Sequence, residues 1–287
     1  MSARPAAIGS AHIPPIAYFV VSAIFHYLGP SFAVLLFARM EVLGVAWLRI
    51  ASAAIIFAVW RRPWRTFLEG TGQQRRLLFA LGVVLALMNA CFYLAIAHLP
   101  LATVGAIEFI GQIILAAVGV RSRRNGMALA LALLGGGLLT NLQLGEQPLG
   151  LIFAFANGIL FMLYVVLGHR VAQGGSASID RLGASMLIAF VVIFPIGFSD
   201  ALPAFSDVQL LLSGIAVGIC SSVIPYVTDQ LAMRRLPRET FALMLCLLPA
   251  FAVIIGVLVL RQIPTPLEIG GVLLIMVAVA VHQPTGK

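Results

Sequence analysis

Residues 77–120 read LLFALGVVLALMNACFYLAIAHLPLATVGAIEFIGQIILAAVGV. Two apolar runs, each the length of a membrane crossing, are joined here only by His98-Leu99-Pro100. A bilayer core of roughly 30 Å takes about 20 apolar residues as helix, and lipid requires every backbone N–H and C=O to be satisfied within its own segment. Neither run shows the alternation of a barrel strand. Both are expected as transmembrane helices joined by a tight turn. The same test applied outward finds ten such runs, at 13–37, 43–60, 77–97, 101–120, 126–142, 149–168, 182–199, 208–231, 240–260 and 266–282. The expected fold is an all-α membrane protein with ten transmembrane helices. Composition agrees: 61% of residues are hydrophobic, 10% charged, and the mean hydropathy is +1.07, which no water-soluble core requires.

Charge placement sets the expected orientation. Fifteen of the eighteen Lys and Arg fall at the two termini and in every second gap: Arg4; Arg61, Arg62, Arg65, Arg75 and Arg76; Arg121, Arg123 and Arg124; Arg170 and Arg181; Arg234, Arg235 and Arg238; and Lys287. The other gaps keep Arg39 and Arg261, and Arg49 falls inside a span. The positive-inside rule puts both termini in the cytoplasm, with Trp60 and Trp64 as interfacial anchors. The basic loops suit anionic lipid headgroups; with no basic stripe of interleaved aromatics, no nucleic-acid partner is expected. Cys91, Cys220 and Cys246 lie in apolar runs without metal-ligand or disulfide spacing, so neither metal nor cofactor is expected. The first run is too long for a signal-peptide core and should remain as a span.

The chain also repeats. His98-Leu99-Pro100 ends the third run and Arg235-Leu236-Pro237 the eighth. Five spans separate the copies, and an odd number makes them point in opposite directions. Two inverted five-helix repeats, 13–142 and 149–282, are the expectation, an architecture in which secondary transporters hold substrate near the midplane between halves.

Ionisable groups inside lipid are costly and therefore point to function. Glu108 lies seven residues into the fourth run and Arg49 six into the second, both roughly 10 Å below the outer edge at 1.5 Å per residue. Glu108 is the sole deep carboxylate by this count. Mutual pairing, or access to a water-filled cavity, is expected of both. The pair is either a structural tie or a binding site, with Glu108 as proton acceptor or counter-charge to an amine and Arg49 holding it or meeting a carboxylate. Gln112 follows Glu108 by one helical turn; Asn89 and His26 fall at similar depth, each as cavity lining or interhelical hydrogen bond. In the eighth span Ser221, Ser222, Pro225 and Tyr226 occur together. Pro225 frees a backbone carbonyl for a ligand or a neighbouring helix. Asp229, counted near the cytoplasmic surface, is expected to pair with Arg234 and Arg235 as a gate. There is no phosphate-binding G-x-x-x-x-G-K-[ST]. Ser221 or Ser222 with His26 is the combination an intramembrane hydrolase would use, but no nucleophile motif surrounds them, so an enzyme is only the alternative from another class.

Taken together these stretches resemble the drug/metabolite transporter superfamily, of EamA type, and within it the threonine and homoserine exporter branch. The resemblance is carried by Trp47-Leu48-Arg49, Asn89 with Phe92-Tyr93-Leu94, Leu99-Pro100-Leu101, Glu108-Phe109-Ile110-Gly111, Ile224-Pro225-Tyr226 with Asp229, Leu236-Pro237-Arg238-Glu239-Thr240-Phe241, Pro249-Ala250 and Thr265-Pro266. It implies two halves around a cavity open alternately to each side, roles for Arg49, Glu108 and Asp229, and export of small amino acids or related metabolites. The expected protein is a secondary transporter of the bacterial plasma (inner) membrane, monomer or homodimer, with the proton as coupling ion. A cationic-drug exporter is the runner-up, in which Glu108 attracts the cation and Tyr93 contacts it. The chain departs from the branch at Gly111-Gln112, where Gly-Pro is common, and at Leu248 and Gln262, where acids are usual.

Overall fold

The computed structural model describes residues 14–108, 122–143, 147–173, 177–236, 241, 244–245 and 248–281. They form α1 (Pro15–Leu36), α2 (Val42–Arg61), α3 (Trp64–Glu69), α4 (Gly72–His98), α5 (101–108), α6 (Arg123–Gln143), α7 (Pro148–Ala172), α8 (Ser178–Ser206), α9 (Val208–Gly218), a π-turn (Ile219–Val223), α10 (Ile224–Met233), α11 (Leu248–Leu260) and α12 (Pro266–Val281). No strand occurs among the described residues. Six helical spans are long and apolar enough to cross a membrane: α1, α2, α4, α7, α8 and the continuous Val208–Met233. Shorter apolar helices follow at Leu248–Leu260 and Pro266–Ala278. The expected fourth span is helical over 101–108 and the ninth over Leu248–Leu260; the rest of the fourth and most of 240–247 lie outside the described residues. Large apolar side chains such as Val191, Leu212 and Leu258 point outward, as lipid-facing surfaces should.

Helix ends differ from the hydropathy reading where polar caps take over. The helix α4 begins at Gly72, five residues before its apolar run, because the Thr71 hydroxyl accepts the Gln74 N–H at 3.3 Å. The helix α8 overruns the expected 182–199 at both ends and passes through Pro195 and Pro203. It stops at Asp207, whose carboxylate caps α9 by accepting the N–H groups of Gln209 at 2.9 Å and Leu210 at 3.1 Å. The Leu210 N–H, with the Arg39 guanidinium at 2.6 Å, holds the Asp207 carboxyl below the usual carboxylate range. That exposed ion pair adds little stability, but it links the α1–α2 turn to the α8–α9 turn. At the opposite end Arg61 reaches Asp180 at 2.6 Å and covers the Trp60 ring.

In the bundle α2 lies along α8, α4 along α7 and α8, α1 along the π-turn and α10, and α6 along α12. Trp47 of α2 sits among Phe190, Phe194, Phe198 and Phe205 of α8, with ring centroids 5.2 to 6.1 Å away. Elsewhere glycine lets backbones meet. A side chain at Gly218 would run into the Ser52 hydroxyl and the Arg49 carbonyl, and one at Gly29 into the backbone of Ser221. Both contacts hold the π-turn tightly between α1 and α2, consistent with the small-residue packing of membrane helices. Gly218→Val is therefore expected to lower the thermal unfolding midpoint of detergent-purified protein, read by tryptophan fluorescence. Gly126→Ala, at a position open to the outside, should leave it unchanged or slightly higher.

Candidate functional site

Arg49 is buried, and the span α9–α10 provides its partners. Its Nε donates to Ser222 Oγ at 2.8 Å, and its Nη2 donates to the Ser221 carbonyl at 2.6 Å and to Tyr226 Oη at 3.4 Å. Pro225 lacks the N–H that an unbroken α-helix would return to the carbonyl four residues earlier, which is that of Ser221. The freed acceptor is used by a neighbouring helix. A π-turn at this place belongs to a class of helix defects frequent at functional sites. The guanidinium also lies over the rings of Tyr93, 5.2 Å from its centroid, and Tyr226, at 6.0 Å. Tyr226 Oη in turn accepts from Asn89 Nδ2 at 3.1 Å. Of the five guanidinium N–H groups, those on Nη1 have no hydrogen-bond partner among the described residues, and the buried Tyr93 hydroxyl has none either.

Glu108, the last described residue of α5, is as fully buried. Its Oε1 accepts from Asn157 Nδ2 at 2.7 Å and its Oε2 from Tyr27 Oη at 3.2 Å. Both donors are neutral. Arg49 and Glu108 therefore do not form the expected mutual ion pair, because Arg49 is turned to the freed carbonyl on α9–α10 and Glu108 to α1 and α7. Since the carboxylate makes the Asn157 amide donate, the amide oxygen Oδ1 is left buried without a partner.

Asp229 departs further from expectation. It is as fully enclosed by protein as Glu108. It accepts from Ser22 Oγ at 2.5 Å and Tyr164 Oη at 2.9 Å instead of pairing with Arg234 or Arg235. Arg235 lies over the Tyr18 ring. The pairing differs because Asp229 is turned towards Ser22, seven residues into α1, and not towards the end of its own helix. His26 sits between the rings of Tyr27, 5.4 Å away, and Phe161, 5.6 Å away. Phe161 stacks on Tyr164, which meets Tyr226 at 5.4 Å. A continuous run of rings thus joins the Glu108 group to the Asp229 and Arg49 groups. Gln112 lies outside the described residues.

Similarity to known proteins follows the same residues. The family described as EamA-like transporter matches residues 148–282. The threonine/homoserine exporter RhtA of Escherichia coli strain K12 is 32% identical over 261 residues, which cover 89% of this chain and 86% of the exporter. The chain belongs to the EamA-like transporter family. RhtA of Salmonella typhimurium strain SL1344 is likewise 32% identical, over 84% of this chain and 81% of its own. A crystal structure 17% identical in sequence matches with a TM-score of 0.57 over 93% of this chain and 96% of its own, a likeness of fold. Membership in the EamA-like family and the membrane-length helices make this a multi-pass transmembrane transporter.

Four residues of the site escaped the sequence reading: Ser22, Tyr27, Asn157 and Tyr164. Asn157 carried the signal used for Asn89, an amide inside an apolar run. The tyrosines carried another. Four of the five in this EamA-family chain, Tyr27, Tyr93, Tyr164 and Tyr226, are fully buried, and a phenol in lipid needs a hydrogen-bond partner. Interhelical polar contacts in membranes average about 0.6 kcal/mol, reaching about 1.7. Tyr226→Phe should thus cause a small loss of thermal stability in detergent. Arg49→Ala, which strips the Ser221 carbonyl of its donor, should cause a distinctly larger one in the same measurement.

Proposed function

We propose that this chain exports a small zwitterionic solute, threonine- or homoserine-like, across the bacterial plasma membrane by proton antiport with alternating access. One observation carries this: two buried charges of opposite sign are held on different helices, each beside an unpartnered atom of matching character. The Arg49 guanidinium and the unpartnered Tyr93 hydroxyl beside it suit a carboxylate. Glu108 with the free Asn157 Oδ1 suits an ammonium group. Neutral donors alone surround Glu108, so a proton or a substrate amine is left to balance its charge, and the two compete for it. Such competition is the minimum an antiporter needs. The two RhtA relatives are threonine/homoserine exporters, which supports the same substrate class.

The halves, 13–142 and 149–282, are inverted repeats in this proposal, with both termini cytoplasmic. Support comes from pairs of counterparts. Asn89 and Tyr226 are hydrogen-bonded and 137 residues apart, the separation of Leu99-Pro100 from Leu236-Pro237. A residue meets its own counterpart only beside the axis relating two halves. The same separation relates Tyr27 to Tyr164, each of which donates to a carboxylate. Counterpart helices α2 and α8 lie together, as do α6 and α12, and the packing of α4 on α7 is matched by that of α10 on α1.

A cationic-solute exporter is the second reading, favoured by the ring run next to Glu108. Uptake of labelled L-threonine into inverted membrane vesicles with an acid interior decides between them. The wild type should accumulate threonine in proportion to the gradient. Glu108→Gln at unchanged membrane abundance should lose about tenfold or more, equivalent to about 1.4 kcal/mol. Indifference of the wild type to the gradient removes antiport; uptake of lipophilic cations but not threonine favours the second reading.

A further inference from the structure

We propose that Asp229 is a second proton-binding site, separate from the Glu108 pole where proton and substrate compete, and that its proton, returning in the same cycle, adds to the force that drives export. This rests on the antiport proposed above. Hydrogen counting is what singles it out. Ser22 Oγ lies within reach of two acceptors, Asp229 Oδ1 at 2.5 Å and the Pro225 carbonyl at 3.3 Å, but a hydroxyl has one hydrogen to give. With Asp229 ionised, Ser22 donates to it. With Asp229 protonated, the new O–H donates to Ser22 Oγ, and the Ser22 hydrogen turns to the Pro225 carbonyl. Thr228, which also reaches that carbonyl at 3.0 Å, has an alternative acceptor in Ile224 O at 2.8 Å. Tyr164 Oη donates to Oδ2 in both states. Both protonation states thus keep every one of these buried groups partnered, without movement of a helix.

Among the described residues no cation forms an ion pair with Asp229. From α1 it is faced by Ser22, with His26 one turn further along; from α7 by Tyr164; on its own helix by Tyr226. The buried Arg49 is held by Ser221, Ser222 and Tyr226 on the same span. His169 and Arg170 lie in the last turn of α7. The helix α8 also packs on α10; its charges are Asp180 and Arg181 near its start, with Asp180 paired to Arg61, and Asp200 near its end. Position separates the two carboxylates. Ser22 precedes Tyr27 by five residues on α1, and Tyr164 follows Asn157 by seven on α7. At 1.5 Å per residue the Asp229 group thus lies roughly 8 to 10 Å further along the bundle than the Glu108 group. His26 and Phe161 stand between them. A proton entering at one level need not displace substrate held at the other.

Two measurements test this independently of each other. Difference infrared titration of wild-type protein in lipid, with no substrate added, should show a protonated-carboxyl band that persists in Glu108→Gln, disappears in Asp229→Asn and shifts in frequency in Ser22→Ala. In proteoliposomes loaded with L-threonine, Asp229→Asn should retain threonine–threonine exchange at half the wild-type rate or more, by order of magnitude unchanged, while gradient-driven net efflux falls about tenfold. An Asp229→Asn spectrum equal to wild type overturns the assignment. So does gradient-driven efflux surviving in that variant, or loss of exchange along with efflux in a variant that unfolds at the wild-type temperature. If the infrared bands behave as expected and the wild type exchanges no threonine, the substrate proposed above fails and the proton site stands.

Discussion

A guanidinium carried into hydrocarbon must be given acceptors, and in this protein it receives them from a break in a helix. Without the missing N–H of Pro225, the carbonyl of Ser221 would be closed within its own span, and Arg49 would have only two hydroxyls and two ring faces. An isolated charge at that depth costs several kcal/mol. The proline, the π-turn and the arginine therefore belong to one arrangement. Gly218 and Gly29 belong to it too, since only residues without side chains allow α1 and α2 to approach the turn closely enough for the guanidinium to reach it.

The same span is anchored a second time. Arg49 fixes it to α2 through residues 221–226, and one turn later Asp229 fixes it to α1 and α7. Tyr226 stands between these anchors, bonded to Arg49 and Asn89 on one side and in ring contact with Tyr164 on the other. Strong polar ties concentrated on one broken helix contrast with the α2–α8 interface, where Trp47 and four phenylalanines pack ring against ring and the one ion pair, Arg61 with Asp180, lies at the helix ends. Apolar contacts in lipid have no hydrophobic driving force to set their register. Orientation of the site helices thus depends on the few hydrogen bonds around Arg49, Glu108 and Asp229.

Hydropathy and proline placement made much of this visible in advance. Six of the ten expected runs appear as helices long enough to cross, and Arg49, Asn89, Tyr93, Ser222 and Tyr226 come together as polar residues inside lipid should. The carbonyl freed by Pro225 was legible because proline chemistry is local. Pairing was not. Equal depth places two charges in one layer but says nothing of the face each presents, and Arg49 and Glu108 face different helices. Asp229 was given the wrong partners because charges adjacent in sequence, Arg234 and Arg235, looked like its natural ones, whereas its carboxylate is turned to Ser22 and Tyr164 on other helices. The neutral partners, Ser22, Tyr27, Asn157 and Tyr164, were overlooked because attention to ionisable residues leaves out the hydroxyls and amides that make burial of a charge tolerable.

Departures from the exporter branch are informative in the same terms. Where the branch commonly has an acid before Thr265-Pro266, Gln262 uses its Oε1 to accept the N–H of Leu101 at 3.1 Å, capping the helix that carries Glu108. Glu268, three residues beyond Thr265, accepts the Thr265 N–H at 2.8 Å, while the Thr265 hydroxyl accepts the Glu268 N–H at 3.3 Å, a reciprocal cap at the start of α12. A carboxylate at 262 could accept the same N–H, but it would place a second negative charge two turns from Glu108. The neutral amide adds no further charge there, and Glu108 is met by the neutral donors Asn157 and Tyr27. Loss of an acid in the loop and retention of an uncompensated acid in the span are, on this account, two sides of one electrostatic adjustment.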